Sequence, residues 1–549
     1  MLTCLRGGHV VDPANGIDGV DDVYFEDGRI VAPPVGRTPD VVHDVSGHIV
    51  MAGAIDIHSH IAGGNVNTAR LLLPEVHRSI RARLAGTPLS TAKWSTFETG
   101  RLYAQMGFTT VIEPAVAPHH ALHAHLELSD IPIIDKGALT VLGNDDFLLG
   151  LLRDGEQETA IEDYVAQTVE TTRTLGLKCI NPGGVEAFKE NMRAFGLDDV
   201  VPFYGVTSRK IFQALQRATQ AVGIHHPLHL HMNNLGIAGN IETALATIDA
   251  SQGLPLHLAH VQFYAYGKEG KNGFSSAGAQ FAEKINANKN VTIDVGQGMF
   301  SDTVTVSSDV VKQFNSLPGA MPTKGVIFDG DANGGGVVPY AYKISNYYNA
   351  IQWAAGLELF LLVEDPAQVF FTTDHPNGGP FTTYPELFAL LMSADLRAQH
   401  MARLPADVLE MTQLPSIVRE YSLYEIAVMS RSGPARLYGF TDRGQLGAGA
   451  VADIAVYKNQ KDKAGMFRRA ALVFKDGELV VRDGKVSHFT RGKTLHVRPD
   501  YDRAINRRLD SYYDDLYGLP RSLFEVADAA LPKEDAFVEV SCAEVPCRG

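Results

Sequence analysis

DVSGHIVMAGAIDIHSHI, residues 44–61, is the stretch from which the rest of the chain is read. A strand, a glycine turn and a run of apolar β-formers lead straight into His58-Ser59-His60. Residues two apart on a strand share a face, so both imidazoles project the same way and can reach one ion. An HxH pair alone is weak evidence, because many strand histidines are satisfied by hydrogen bonds instead. Its place after a buried apolar strand is where a barrel would begin.

Seven further apolar strand patterns follow, alternating with longer helical patterns. They are FTTVIEP (108–114), IPIIDKGALTV (131–141), GLKCINP (176–182), LHLHMN (228–233), PLHLAHV (255–261), VTIDVG (291–296) and VFFTTDH (369–375). Strands alternating with helices indicate a parallel sheet, and with GAIDIHSH (53–60) there are eight, enough to close an α/β (β/α)8 TIM barrel. Functional groups of such a barrel gather at the C-terminal ends of its strands. The chain ends are different: short β-patterns separated by Gly, Asp and Pro turns fill the first 50 residues and return in 444–457, 470–486 and 493–499. The expected organisation is a composite β-sandwich domain from 1–52 and 430–499 and a barrel over 53–429. The barrel carries an insertion at about 297–365, and a C-terminal extension over 500–549 is expected to contact a partner.

Composition narrows the function. A net charge of −15 argues against nucleic acid or an anionic membrane as the main partner. No apolar run approaches the roughly 20 residues of a bilayer span, and MLTCLRGGHVVDP lacks a signal-peptide core, so a cytoplasmic protein is expected. Cys4, Cys179, Cys542 and Cys547 make no disulfide framework and no CxxC site, and Cys542 and Cys547 read as a free thiol pair. A metal here must rest on His, Asp and a modified Lys, a donor set suited to catalysis.

Lys178 closes the apolar run of GLKCINP. An ammonium in a buried strand is costly, burial lowers the amine's pKa, and the neutral amine reacts with CO2 to give a carbamate that can bridge two cations. The ordinary alternative is a snorkelling lysine. His231 and His260 end the next two strand patterns; His229 and His257 compete with them, and the later member of each pair is preferred because it lies nearer the strand's C-terminal end. His119, His120, His225 and His226 read as loop residues or as residues behind the ligands. Asp374 ends the last strand, where it can hold a metal and take a proton from water, or simply form a turn before His375-Pro376-Asn377-Gly378-Gly379.

Together these residues resemble the amidohydrolase superfamily, whose order of HxH, Lys, His, His, Asp is far more specific than any part of it. GFTTVIEP (107–114) is similar to the family's second strand, and GQLGAGAVADIAVY (444–457) to its return into the small β-domain. GLKCINPGG (176–184), HLHMNNLG (229–236), HLAHVQFYAYG (257–267) and TTDHPNGGPF (372–381) carry a closer resemblance. It is to the amidohydrolase-type subunits of formylmethanofuran dehydrogenases and of methylotroph formyltransferase/hydrolase complexes. The resemblance implies two Zn2+ ions, with His58, His60 and Asp374 on the more buried one, His231 and His260 on the other, and N6-carboxylated Lys178 as the bridge. It implies hydrolysis of N-formylmethanofuran or its methylofuran counterpart to formate and free amine, or the reverse condensation, with Asp374 as the catalytic base. It further implies Asn233 and Asn234 at the carrier, and other complex subunits as partners. The rival readings are a free-standing cyclic-amide hydrolase of the hydantoinase or dihydroorotase type, and a metal-free scaffold that binds partners only.

Overall fold

The computed structural model describes residues 1–72, 96–190, 192, 194–306 and 336–545. All eight expected strands form, in order: β1 (Ala54–Asp56), β2 (Phe108–Val116), β3 (Asp135–Leu142), β4 (Leu177–Ile180), β5 (His229–His231), β6 (Leu256–Leu258), β7 (Val291–Asp294) and β8 (Val369–Phe370). Each pairs in parallel with the next in sequence. The seam between β8 and β1 is closed by a parallel bridge from Ser59 to His375 and by His60 N donating to His375 O at 2.8 Å. Helices follow the strands, among them Thr96–Gln105, Ser208–Ala221, Ile241–Ala250 and Gly278–Ala287, so the fold is a (β/α)8 barrel. The near-continuous apolar strands are what a parallel sheet covered on both faces requires.

Gly53 is the hinge at which the opening stretch passes from one sheet into another. His48–Ala52 belongs to a nine-stranded mixed sheet built from both chain ends, where it pairs antiparallel with Ile454–Lys458 and parallel with Thr3–Asp12. A Cβ at position 53 would lie 2.1 Å from Thr109 Oγ1, so only glycine lets this crossing pack against β2. Below the barrel, Lys475 Nζ lies 3.2 Å from Asp135 at the start of β3 and 3.1 Å from Asp453. Arg443 completes this buried ionic joint between the end-built sheet and the barrel.

Three parts of the expected organisation differ. Residues 493–499 do not join the end-built sheet: Thr494–His496 runs parallel to the start of β3, and Phe537–Glu539 adds a further parallel strand beyond it. The described part of the extension, residues 500–545, is therefore woven into the barrel sheet. Its helix Ile505–Tyr517 buries Ile505 and Leu509, and Val526 N and Ala543 N donate to Thr171 O and Gly223 O. Of the expected insertion 297–365, Asp302–Thr305 pairs antiparallel with Val338–Ala341, while Tyr347–Leu362 is the well-buried helix that follows β7 and belongs to the barrel. Residues 307–335 of the expected insertion, and Cys547, lie outside the described residues; Cys4, Cys179 and Cys542 are free thiols. Among the described residues, no helix is long and apolar enough to cross a membrane.

Candidate active site

The last residues of β1 run into a turn tied down by buried acids. Asp56 accepts from His58 N, Ser59 Oγ, Tyr103 OH and Tyr384 OH at 2.6–3.0 Å, which fixes the backbone of the HxH loop. Each imidazole is then held from behind. His58 Nδ1 lies 2.9 Å from Asp294 Oδ2 on β7, and His60 Nδ1 lies 3.0 Å from Glu113 Oε1 on β2. With Nδ1 committed as the donor, the tautomer leaves each Nε2 lone pair facing the barrel mouth.

Those two nitrogens converge on the last strand. Asp374 Oδ1 is 3.0 Å from His58 Nε2 and 3.4 Å from His60 Nε2, and Lys178 Nζ is 3.1 Å from His58 Nε2. The three donor atoms of His58, His60 and Asp374 fall within 4.8 Å of one another, an arrangement able to hold a metal ion. The rings of His231 and His260 meet at 4.7 Å, and the His260 ring lies 5.3 Å from that of His58. His58, His60, Lys178, His231, His260 and Asp374 are thus brought to one end of the barrel from β1, β4, β5, β6 and β8.

His260 and Asp374 both take left-handed backbone angles, with φ of 35° and 50°. Such conformations cost a non-glycine residue about 1–3 kcal/mol and persist only where the surroundings impose them. Here Asp294 Oδ1 accepts His260 N at 2.7 Å and Thr372 Oγ1 accepts Asp374 N at 2.8 Å. Gly296 supplies the clearance, since a Cβ there would lie 2.4 Å from His260 Cβ.

The electrostatics follow from burial and neighbours. Burial pulls the Lys178 amine below its ordinary pKa, against the pull of Asp374 and Asp294. Burial likewise holds His260 well below the usual imidazole range. Burial pushes the Asp374 carboxyl up, but His58 and His260 overcome it and keep Asp374 well below the usual carboxylate range. Burial opposes a charge on His60 too, yet Glu113 and Asp374 raise it to about 9. The cluster therefore joins a lysine driven toward the neutral form to a firmly ionised carboxylate.

His229 and His257 lie one layer deeper. His229 Nε2 is 3.1 Å from His58 Nδ1, the face turned away from Asp374, and His257 Nε2 is 3.1 Å from Asp294 Oδ2. If the three imidazoles of His58, His229 and His257 all donate toward Asp294, their other nitrogens are accounted for. His226 Nε2 donates to His229 Nδ1, Thr292 Oγ1 donates to His257 Nδ1, and His58 Nε2 faces the mouth. His226, expected in a loop or behind the ligands, is buried at the foot of this network and stacked on Tyr438.

Asn233 and Asn234 do not offer open carboxamides. Asn233 is 1% exposed and bonds Ser208 Oγ and Asn181 Oδ1; Asn234 bonds Phe195 N and Thr243 Oγ1. The pair braces the loops after β4 and β5. Asp56, Glu113 and Asp294 were not singled out from the sequence. Their signal was the single acid in each of three strand patterns, AIDIHSH, FTTVIEP and VTIDVG.

Comparison with known proteins gives the same picture. A family model described as the amidohydrolase family matches residues 41–488. A subunit of the formyltransferase/hydrolase complex Fhc of Methylorubrum extorquens is 50% identical over 548 residues, covering 99% of this chain and 100% of that one. Protein FwdA of Methanocaldococcus jannaschii is 38% identical over 522 residues, covering 90% and 91%. In the crystal structure of the Methylorubrum extorquens complex (FhcABCD) with methylofuran, one chain superposes with a TM-score of 0.94 at 48% identity, covering 99% of this chain and 100% of that one. The chain belongs to the amidohydrolase family.

Proposed function

We propose that this chain is the hydrolytic subunit of a formyltransferase/hydrolase-type complex, cleaving the formamide C–N bond of an N-formylated methylofuran-type carrier to formate and free amine. The convergence of His58, His60 and Asp374 beside a buried lysine carries the reading of a metal-dependent hydrolase. The substrate class rests on the full-length similarity to a protein whose complex was crystallised with methylofuran.

The residues suit two divalent ions. His58 Nε2, His60 Nε2 and Asp374 Oδ1 would hold one ion and His231 and His260 a second, with Lys178, once carboxylated, as a ligand available to both. His260 Nδ1 is buried with no hydrogen-bond partner among the described residues, as a nitrogen reserved for a metal would be. Imidazole, carboxylate and carbamate donors favour zinc. Bound there, such ions supply Lewis acidity toward the formyl oxygen and turn water into a nucleophile near neutral pH.

The proton work falls to Asp374. Its Oδ1 faces the two imidazoles, so Oδ2, held at 2.9 Å by Asn377 Nδ2, takes the proton from the attacking water. The same oxygen returns it to the amine nitrogen as the C–N bond breaks, because an amide anion is too basic to leave unprotonated. The reverse condensation uses the same groups in the opposite order.

The supporting acids should matter nearly as much as the ligands. In Asp294→Asn, the acceptor that fixes the His58 tautomer and the His260 backbone is lost, and metal affinity is expected to fall about 10–100-fold. Competition with a chelator of known affinity measures it; unchanged affinity would leave Asp294 a packing residue only.

Acid should release the metal. With His60 raised to about 9 in the metal-free protein, its protonated form is favoured below that pH and is lost as the pH rises through 9, and a metal must displace this proton. Apparent affinity should therefore climb with pH up to about 9, by ~tenfold per unit for each proton released. Calorimetry at pH 7.5 in two buffers of different ionisation enthalpy counts the protons; none released would contradict the site.

The complex itself can be tested on the surface of the extension. Leu516 is 60% and Leu523 61% exposed, in a setting of Tyr512, Tyr513 and Tyr517 that suits an interface core. Deleting the extension would strip the strand Phe537–Glu539 from the barrel, so point changes are the cleaner probe. The double variant Leu516→Glu, Leu523→Glu is expected to keep its melting temperature and metal but to lose partner subunits on co-purification.

The discriminating assay for the reaction sets the N-formylated carrier against dihydroorotate and hydantoin. Formate release with no ring opening supports the proposal, whereas turnover of a ring amide by the isolated chain favours the cyclic-amide hydrolase.

A further inference from the structure

Arg70 stands on the helix Gly64–Leu71, directly after the HxH loop, and its side chain is only 9% exposed. Nη2 donates to Ile61 O at 2.6 Å and Nη1 to Asn67 Oδ1. Ile61 follows His60, whose own N–H bonds the carbonyl of His375 beside Asp374. The guanidinium is thus anchored to the rim of the candidate site.

The acids that could neutralise Arg70 are committed elsewhere. Glu127 accepts Asn67 Nδ2 and Gly63 N, both at 2.6 Å. Glu113 is divided between His60 Nδ1 and the backbone N–H groups of Ile61 and Ala62. Arg70 forms no ion pair among the described residues, and its hydrogen bonds go to one carbonyl and one carboxamide. Glu127 and Glu113 favour its charge through space, but neither bonds the guanidinium. A buried cation with no bonded carboxylate is costly, and a ligand that brings one relieves that cost. A guanidinium carries five N–H donors in a planar fork that matches a carboxylate in two parallel bonds, and among the described residues two groups use that fork here.

We infer that Arg70 is a carboxylate receptor at the rim of the site. This rests on the deformylation reading, in which a neutral formamide is converted to a carboxylate, formate, that must bind on the way in or out. Arg70 holds the anion by its fork and takes no part in bond breaking. A carboxylate borne by the carrier would use the same chemistry, and the test separates the two sources.

In the purified complex, sodium formate and the free carrier amine serve as inhibitors of deformylation. Arg70→Gln is expected to raise the inhibition constant of formate at least tenfold, with metal content and melting temperature unchanged, and Arg70→Lys to recover part of the loss. A rise confined to the carrier amine supports the receptor and assigns its carboxylate to the carrier. Unchanged constants for both in a folded, metal-replete Arg70→Gln complex overturn the inference. Should the variant not fold, phenylglyoxal labelling of Arg70 in the wild-type complex gives the answer: formate must block it, and labelling indifferent to both ligands overturns the role. If the wild-type complex does not deformylate the carrier, direct calorimetry with sodium formate still decides. Binding lost in Arg70→Gln then upholds Arg70 while the reaction assignment falls.

Discussion

Lys178→Ala is expected to lose most of the bound metal and nearly all hydrolysis, a larger effect than the ~10–100-fold that removal of a supporting residue costs. The reason lies in where the amine sits. Lys178 is 2% exposed, its Nζ 3.1 Å from His58 Nε2, and burial lowers its pKa. A plain ammonium so placed would repel cations, whereas the neutral amine can be carboxylated and become an anionic bridge. Alanine leaves a space shaped for a small acid, so acetate or propionate added with zinc should restore part of both metal and activity. A variant with full metal and full turnover would show Lys178 to be an ordinary buried cation.

Asp374→Asn separates the two duties assigned to that residue. The amide oxygen still faces His58 and His60, but the group can no longer accept and return a proton, so kcat should fall roughly 10²–10⁴-fold with a smaller loss of metal. His60→Asn should show the opposite balance, activity falling in step with metal. The acidic limb of kcat/KM should follow the coupled ionisation of water and Asp374, and flatten in the Asn variant. Near-wild-type turnover would place the base elsewhere. His375 is the neighbouring candidate, although burial brings its pKa down to about 3.

The barrel was legible because each strand is a short apolar run that ends in a polar residue, and the connection lengths leave room for helices. His58, His60, Lys178, His231, His260 and Asp374 stood out by position: each is polar where its strand reaches the mouth. His231 was preferred over His229 because it lies nearer the strand's C-terminal end; His229 Nε2 lies against His58 Nδ1. Partnership was harder to read than conformation. KTLHVRP at 493–499 alternates as a strand in any sheet, and nothing local says that it pairs with β3 rather than with Lys485–Val486. The same limit hid the strand Phe537–Glu539, of which Phe537 and Val538 are half-buried and Glu539 is exposed. Asp294 was missed because its partners, His58, His257 and the His260 backbone, come from two other strands. Asn233 and Asn234 were expected at the carrier from the resemblance alone; in the fold Ser208, Asn181, Phe195 and Thr243 bond their carboxamides.

Two-metal hydrolysis is tested most directly by titrating metal back into the metal-free complex and measuring formate release from the N-formylated carrier on the same samples. Activity should be absent without metal, rise as zinc is added, and reach its maximum at about two ions per copy of this chain, the number proposed for its donor groups. Full formate release from the metal-free complex, or an activity indifferent to added metal, would contradict the assignment of His58, His60, Lys178, His231, His260 and Asp374 as a hydrolytic centre.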